Sequence, residues 1–303
     1  MQKERKEPDF LVAPYIIRQG VTLLWAKRSV GKSALTWKWA SSVGSGLSFF
    51  GLPVKQGKVL YVDVDSPENI IASRLSTQAV APNVWFFIKP GQYGIPNPRK
   101  EVEDELRETS QIIKPDLVIL NTLRKLHRLD DKDSAAPAEV YGYFQEMFPQ
   151  AALVFVHHSK KSQSDPRFKV RTDETFSGSS HWIDDAHAAA YLRKYSDPNF
   201  NLQLVHVKSQ GTAKIKPLPL KLDRDNGTTL TSPLFEKMLK VYTIMNESDA
   251  KGGALDEIIA KAVGVQSITA YKYRQIVERG KFPTSYHWMD RDHGDGDEDE
   301  FED

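Results

Sequence analysis

Short apolar runs alternate along this chain with stretches in which apolar residues return at helical spacing. The runs Val21–Trp25, Lys58–Asp65, Val84–Ile88, Pro115–Asn121 and Ala152–His158 are rich in Val, Ile, Leu and aromatic residues and read as strands. Pro115–Asn121 and Ala152–His158 are apolar almost throughout, the pattern of strands buried on both faces of a parallel sheet. Between the runs the spacing predicts helices. One follows Ser33 to about Val43, with Gly44-Ser45-Gly46 as its stop. Another opens at Ser66-Pro67-Glu68, where a capping residue precedes a proline, and runs to Leu75. Two more cover Glu101–Ile113 and Ala138–Met147. Ala186–Leu192, Leu202–Val207 and Ile215–Leu222 read as later strands with antiparallel pairing. Strands alternating with helices predict an α/β fold, a doubly wound and mostly parallel sheet with helices on both faces.

Past that sheet the rhythm changes. Leu255–Val277 reads as helix, Gly264 turn, helix, with Ile258, Ile259 and Ala262 facing Ile268 and Ile276. This is helix-turn-helix spacing, and its second helix would offer Lys272 and Arg274 to a DNA groove. The division that follows is a flexible lead over 1–9, an α/β domain over 10–228, a small helical module over 229–288 and a disordered acidic tail over 289–303.

Composition narrows the function classes. The chain has 303 residues, 40% hydrophobic and 27% charged, an ordinary globular balance. It has no cysteine, which removes disulfides and thiolate metal sites and favours a cytoplasmic protein. The first residues, Met-Gln-Lys-Glu-Arg-Lys-Glu-Pro, are too polar for a signal peptide, and no apolar run is long enough to span a membrane. The net charge of +1 conceals an asymmetry: residues 290–303 carry nine acids against one base, Arg291. That segment stands at −8, so residues 1–289 stand at +9. A basic body with an acidic tail suits a DNA-binding protein whose tail competes with phosphate or binds a replication partner.

The chemistry concentrates where the first strand meets the first helix. Trp25-Ala-Lys-Arg-Ser-Val-Gly-Lys-Ser33 fits the pattern G-x-x-x-x-G-K-[ST], with Ala26 in place of the first glycine. In such a loop successive N–H groups turn inward as an anion nest, and the helix N-terminus adds its dipole. Ser29, Val30, Gly31, Lys32, Ser33 and Ala34 are therefore the candidate ATP-binding residues, with Lys32 on the β- and γ-phosphates and the Ser33 hydroxyl on Mg²⁺. Between Ser159 and Ser180, Lys160, Lys161, Arg167, Lys169 and Arg171 interleave with Phe168 and Phe176. Basic and aromatic residues together suit a groove for single-stranded DNA.

In their order and spacing these motifs resemble the P-loop ATPases of the RecA/DnaB class, and among them the RepA-like plasmid and phage replicative helicases. The resemblance rests on the phosphate loop, Gly57-Lys-Val-Leu-Tyr-Val-Asp-Val-Asp65 with Arg74-Leu75, Asp116-Leu-Val-Ile-Leu-Asn-Thr-Leu-Arg124, His157-His158-Ser-Lys160, Gly178-Ser-Ser180 and His206-Val-Lys208. It spans about residues 8–222 and implies a RecA-like fold, ATP and Mg²⁺ as cofactors, DNA as partner and a homo-oligomeric ring such as a hexamer. It also implies roles. Asp65 matches the carboxylate, usually Glu, that orients the attacking water, and Asp63 is set aside as facing away. Asn121 stands where the family has the Mg²⁺-supporting Asp, so it could act only through a metal-bound water. His158 matches the γ-phosphate sensor. Lys208 matches the lysine of a Lys-x-Arg finger whose arginine is here Gln210. The residues that bind nucleotide are intact, whereas those that hasten hydrolysis depart from the pattern. The expected function is a DNA helicase or DNA-dependent ATPase with slow or partner-dependent hydrolysis. The competing expectation is an adaptor that binds ATP without hydrolysing it, such as a replication initiator or helicase loader. A small-molecule kinase is a distant third.

Overall fold

The computed structural model describes residues 8–77, 81–159, 179–198, 200–223 and 229–278. Lys160, Lys161, Arg167, Lys169, Arg171 and the acidic tail lie outside the described residues. In chain order the elements are β1 (Phe10–Val12), β2 (Ile16–Ile17), β3 (Val21–Ala26), α1 (Lys32–Ser45), β4 (Val59–Asp63), α2 (Glu68–Thr77), β5 (Val84–Ile88), α3 (Lys100–Ile113), β6 (Leu117–Asn121), α4 (Leu123–Leu126), α5 (Ala136–Met147) and β7 (Ala152–His158). They continue with α6 (His181–Asp184), β8 (Ala188–Lys194), β9 (Leu202–Ser209), β10 (Leu218–Asp223), β11 (Thr229–Thr231), α7 (Pro233–Glu247), α8 (Gly253–Val263) and α9 (Ser267–Glu278).

Among the described residues the main sheet has nine strands in the order β11-β10-β9-β8-β3-β7-β6-β4-β5. From β8 to β5 every neighbouring pair is parallel, and β9, β10 and β11 add antiparallel. Side-chain alternation divides the apolar residues between two cores. Leu24, Tyr61, Ile119 and Val156 pack on the face covered by α1, with its Leu35, Trp39 and Val43. Leu23, Val62, Leu120 and Phe155 pack on the other face, against Val102 and Leu106 of α3 and Val140 and Phe144 of α5. Both faces are covered, which is why the central strands read as continuous apolar runs.

The same parity decides where the strand ends point. Asp63 follows Tyr61, Asn121 follows Ile119 and His158 follows Val156, so all three lie on the α1 face at the carboxyl ends of neighbouring strands. The expectation that Asp63 faces away is thereby corrected.

Two boundaries and one buried face also differ from the sequence reading. The strand expected to reach Asp65 ends at Asp63, whose carboxylate Oδ1 accepts hydrogen bonds from the N–H groups of Asp65 (2.8 Å) and Ser66 (2.7 Å) and turns the chain. Helix α1 runs past Gly44 and stops at Gly46, which takes the left-handed conformation at φ 72° and donates its N–H to Val43 O. Gly44 is small for another reason: a Cβ there would lie 2.7 Å from a methyl of Val84. The C-terminal helices bury a different stripe from the one expected. Leu255, Ile259, Ala260 and Val263 of α8 and Ala270 and Tyr273 of α9 are buried, whereas Ile258, Ala262 and Ile268 are exposed. These helices are joined by α7, which the sequence reading leaves out although Ser232-Pro233 marks its start; the Ser232 hydroxyl accepts the Phe235 N–H. The buried Met238 and Val241 of α7 and Ile259 of α8 belong to the same apolar core as α1.

Candidate nucleotide site

β3 ends at Ala26, which is fully buried and pairs with His158 on one side and Leu192 on the other. A glycine is unnecessary there because the residue is ordinary strand. The turn itself begins at Lys27. Ser29 has φ 57° and Gly31 φ 121°, so the backbone reverses twice within three residues before α1 begins. Alternation of this kind aims successive N–H groups into one concavity. Gly31 is required by its φ, which lies in the glycine region, and a Cβ there would also push the Leu222 side chain, 2.9 Å away, aside. Val30 is buried and anchors the turn, while Ser33 and Ala34 open the helix with partial exposure.

Lys32 folds back over its own loop. Its Nζ donates to the carbonyls of Ala26 and Lys27, both at 3.2 Å, and to Nδ1 of His158 at 3.0 Å. An ammonium has three protons, and all three are engaged. His158 must then be neutral with its proton on Nε2. The electrostatics agree: burial, followed by the charges of Lys32 and Arg28, pushes the His158 pKa down to about 4. Burial also lowers Lys32, to about 8, against the raising effect of Asp65. The ammonium is charged at neutral pH and ready to exchange chain acceptors for phosphate oxygens.

Asp65 sits near both Lys32 and His158, close enough to influence the titration of each. Its Oδ1 is 2.8 Å from Nζ of Lys125 on α4, with both side chains about two-fifths exposed (40% and 38%). A pair this wet contributes at most about 1 kcal/mol, so a bound ligand can separate it at little cost. Asp65 does not cap α2; the turn before that helix is shaped by Asp63. Asp63 is 1% exposed, and its second oxygen accepts the Asn121 amide NH₂ at 2.9 Å. Sequence reasoning passed over Asp63 and Lys125 as site residues. The pairing of Asp63 with Asn121 is legible only once β4 and β6 are known to be neighbours in register.

The structure thus brings together Lys32, Ser33, Asp65, His158 and Asn121 around one loop. Lys208 is placed elsewhere. β9 runs antiparallel to β8, so Lys208 lies opposite Ala189, toward the end of the sheet away from the loop, where its Nζ donates to Asp184 O at 2.7 Å. Arg193 and Lys194 do lie at the loop end of β8, and both Nε and Nη2 of Arg193 bond the Gln203 side-chain oxygen. Arg274, a candidate for groove contacts, is turned inward: its guanidinium forks onto Asp256 of α8 at 2.6 and 3.0 Å, with both side chains about nine-tenths buried. Lys272 of the same helix is half-buried. Among the described residues no cluster of three or more His, Asp or Glu could hold a metal by itself, so the His157–His158 pair is no metal centre of that kind. Nor is any described helix long and apolar enough to cross a membrane.

The family model of the AAA domain matches residues 1–164, more than half of the chain and all of the loop described above. The chain belongs to the AAA domain family. It therefore carries a nucleotide-binding P-loop ATPase domain, and the mostly parallel sheet gives that domain its RecA-like form. Among solved structures, the KaiC-like protein PH0186 from the archaeon Pyrococcus horikoshii is similar with a TM-score of 0.50, over 76% of this chain and 99% of that one. The identity is 8%, so the likeness concerns the fold. No curated relative matches.

The AAA domain implies ATP and, with it, Mg²⁺, and the residues fit both. The loop offers inward N–H groups and a charged ammonium for phosphate. The Ser33 hydroxyl and the Asn121 amide oxygen are hard, neutral donors of the kind Mg²⁺ accepts alongside water and phosphate.

Proposed function

We propose that this protein is an ATP-dependent DNA-replication protein of plasmid or phage type, a ring-forming DNA helicase or DNA-dependent ATPase with slow intrinsic turnover. The observation that carries the reading is the convergence of Lys32, His158 and Asp65 at one end of a parallel sheet. When bound, ATP with Mg²⁺ supplies the phosphoanhydride bond to be broken. The chain's own residues do the rest. Lys32 leaves the carbonyls of Ala26 and Lys27 for phosphate oxygens, and the loop N–H groups hold the chain of phosphates in place. Asp65, once parted from Lys125, orients a water as base. His158, released by Lys32, is free to turn its ring and offer the Nε2 N–H as a hydrogen-bond donor to the γ-phosphate.

His158 also supports the link to DNA, because Ser159 and the basic segment 160–171 follow it directly in the chain. A change in what His158 bonds is a change at the root of that segment. Single-stranded DNA along it, and duplex DNA at α8 and α9 read as a helix-turn-helix, are the proposed contacts. Lys208 is proposed to act across a subunit boundary, which suits its place far from its own loop. The acidic tail is the proposed contact for a replication partner.

A second reading is favoured by Asn121, a neutral group at a strand end beside the metal position. An adaptor that binds ATP and responds without hydrolysis tolerates such a residue. ATP turnover and strand unwinding, measured with and without single-stranded DNA beside Lys32→Ala, separate the two. DNA-stimulated turnover that disappears in Lys32→Ala is the expected result. Tight ATP binding without turnover under any DNA condition supports the adaptor and removes the helicase.

A further inference from the structure

Two strand ends beside the phosphate loop carry a carboxylate and an amide locked to one another. Asp63 Oδ1 accepts from the N–H groups of Asp65 at 2.8 Å and Ser66 at 2.7 Å, and Asp63 Oδ2 accepts from Asn121 Nδ2 at 2.9 Å. A carboxylate can only accept, so it dictates which end of the Asn121 amide faces it. The NH₂ turns toward β4, and the amide oxygen is left on the other side. In the sheet order, the other side of β6 is β7 and then β3, the strand that feeds the phosphate loop. Asp63 itself is too buried to reach a ligand.

We propose that Asp63 is a positioning residue for the metal–nucleotide complex. It holds Asn121 with its oxygen toward the phosphate loop and supplies, from β4, the negative charge absent from the end of β6. The inference rests on the nucleotide reading above. It makes the pair a transposed one, with the charge one strand further from the loop and the neutral oxygen in front.

The chemistry of the pair gives a test that does not depend on disrupting the fold. In Asp63→Asn, the Asn oxygen still accepts the two backbone N–H groups, since Asn suits such turns as well as Asp does. Its NH₂, however, now meets the Asn121 NH₂. Asn121 must rotate its amide, which puts NH₂ toward the loop. In Asn121→Asp, carboxylate faces carboxylate with no proton donor between them. In the double variant Asp63→Asn/Asn121→Asp, all three hydrogen bonds return, with the carboxylate now on β6.

The full chain is titrated with a fluorescent ATP analogue in MgCl₂ and, separately, in EDTA. Asp63→Asn is expected to lose about 10- to 100-fold in affinity with Mg²⁺, the usual effect of removing an outer partner of a metal ligand. In EDTA it should bind no more weakly than wild type, and its nucleotide-free melting should stay near that of wild type. The double variant should recover wild-type affinity in Mg²⁺ or exceed it. Equal losses in Mg²⁺ and EDTA, or a double variant no tighter than Asp63→Asn, overturn the proposal. Wild-type binding that is indifferent both to Mg²⁺ and to Lys32→Ala instead overturns the nucleotide reading, and the role of Asp63 with it.

Discussion

At the scale of single residues, the site is held ready by hydrogen bonds that a ligand must replace. Lys32 is the clearest case, because His158 takes one of its three protons at 3.0 Å and two carbonyls take the rest. ADP, which has no γ-phosphate for His158 to meet, competes with this self-binding and gains nothing from the histidine. In His158→Ala one proton of Lys32 is released. ADP binding is therefore expected to tighten by roughly two- to tenfold, the equivalent of one net hydrogen bond. Calorimetric titration of the two proteins decides it, and weaker ADP binding in the variant would show that His158 does not restrain Lys32. The phosphate loop was legible in the sequence because Gly31, Lys32 and Ser33 are consecutive and their roles follow from local geometry. The pairs Asp63–Asn121 and Asp65–Lys125 were not. Each joins residues 58 or more positions apart, and which strand ends meet is set by the order of β4, β6 and β7.

At the scale of elements, what was read correctly is what the backbone states locally. β5 and β7 have the bounds that their apolar runs give, and α3 and α5 begin within two residues of the expected starts. Gly44 misled because a glycine in a helix can mean a stop or a close approach, and only the position of Val84 distinguishes them. The helical addition misled in a similar way. Ile258 and Ile268 are as apolar as Ile259, but the rotation of α8 on α9 is fixed by Arg274 and Asp256, whose bidentate pair is buried at 11% and 10% side-chain exposure. Arg274→Ala leaves the Asp256 carboxylate buried without its partner. The expected loss is about 3 kcal/mol of stability in chemical unfolding. Lys261→Ala, at an exposed position of α8, should leave the unfolding midpoint unchanged. If Arg274→Ala instead weakens duplex binding while unfolding like wild type, Arg274 is a groove contact after all and the clamp is incidental.

At the scale of the whole molecule, three histidines in separate places set a common response to acid. His127 is fully buried against Trp182, its ring 5.2 Å away; His206 is buried against Tyr15 at 5.7 Å; His158 lies under the phosphate loop. Burial is the leading cause in each case, with Arg124, Lys214 and Lys32 respectively adding positive charge nearby, and each pKa falls to about 4. An unfolded histidine takes its proton near pH 6.5. Between that value and about 4 the unfolded chain therefore binds more protons than the folded one, and stability rises with pH across the window. Acidification from pH 6.5 toward 4 should destabilise the protein, at most by about 1.4 kcal/mol per pH unit for a fully shifted histidine. His158 contributes less because it is only partly buried. Asp131 stands 3.4 Å from His127 Nε2 and would ease its protonation, so His206 is the better probe. Its Nδ1 accepts the Ile215 N–H at 3.4 Å, and the glutamine variant keeps a polar acceptor there without a titrating group. Unfolding free energies of wild type and His206→Gln between pH 7.5 and 4.5 should diverge in slope by up to about one proton, with the variant less sensitive to acid. Parallel curves would mean that His206 titrates in the folded protein as it does in the open chain, and that acid acts elsewhere.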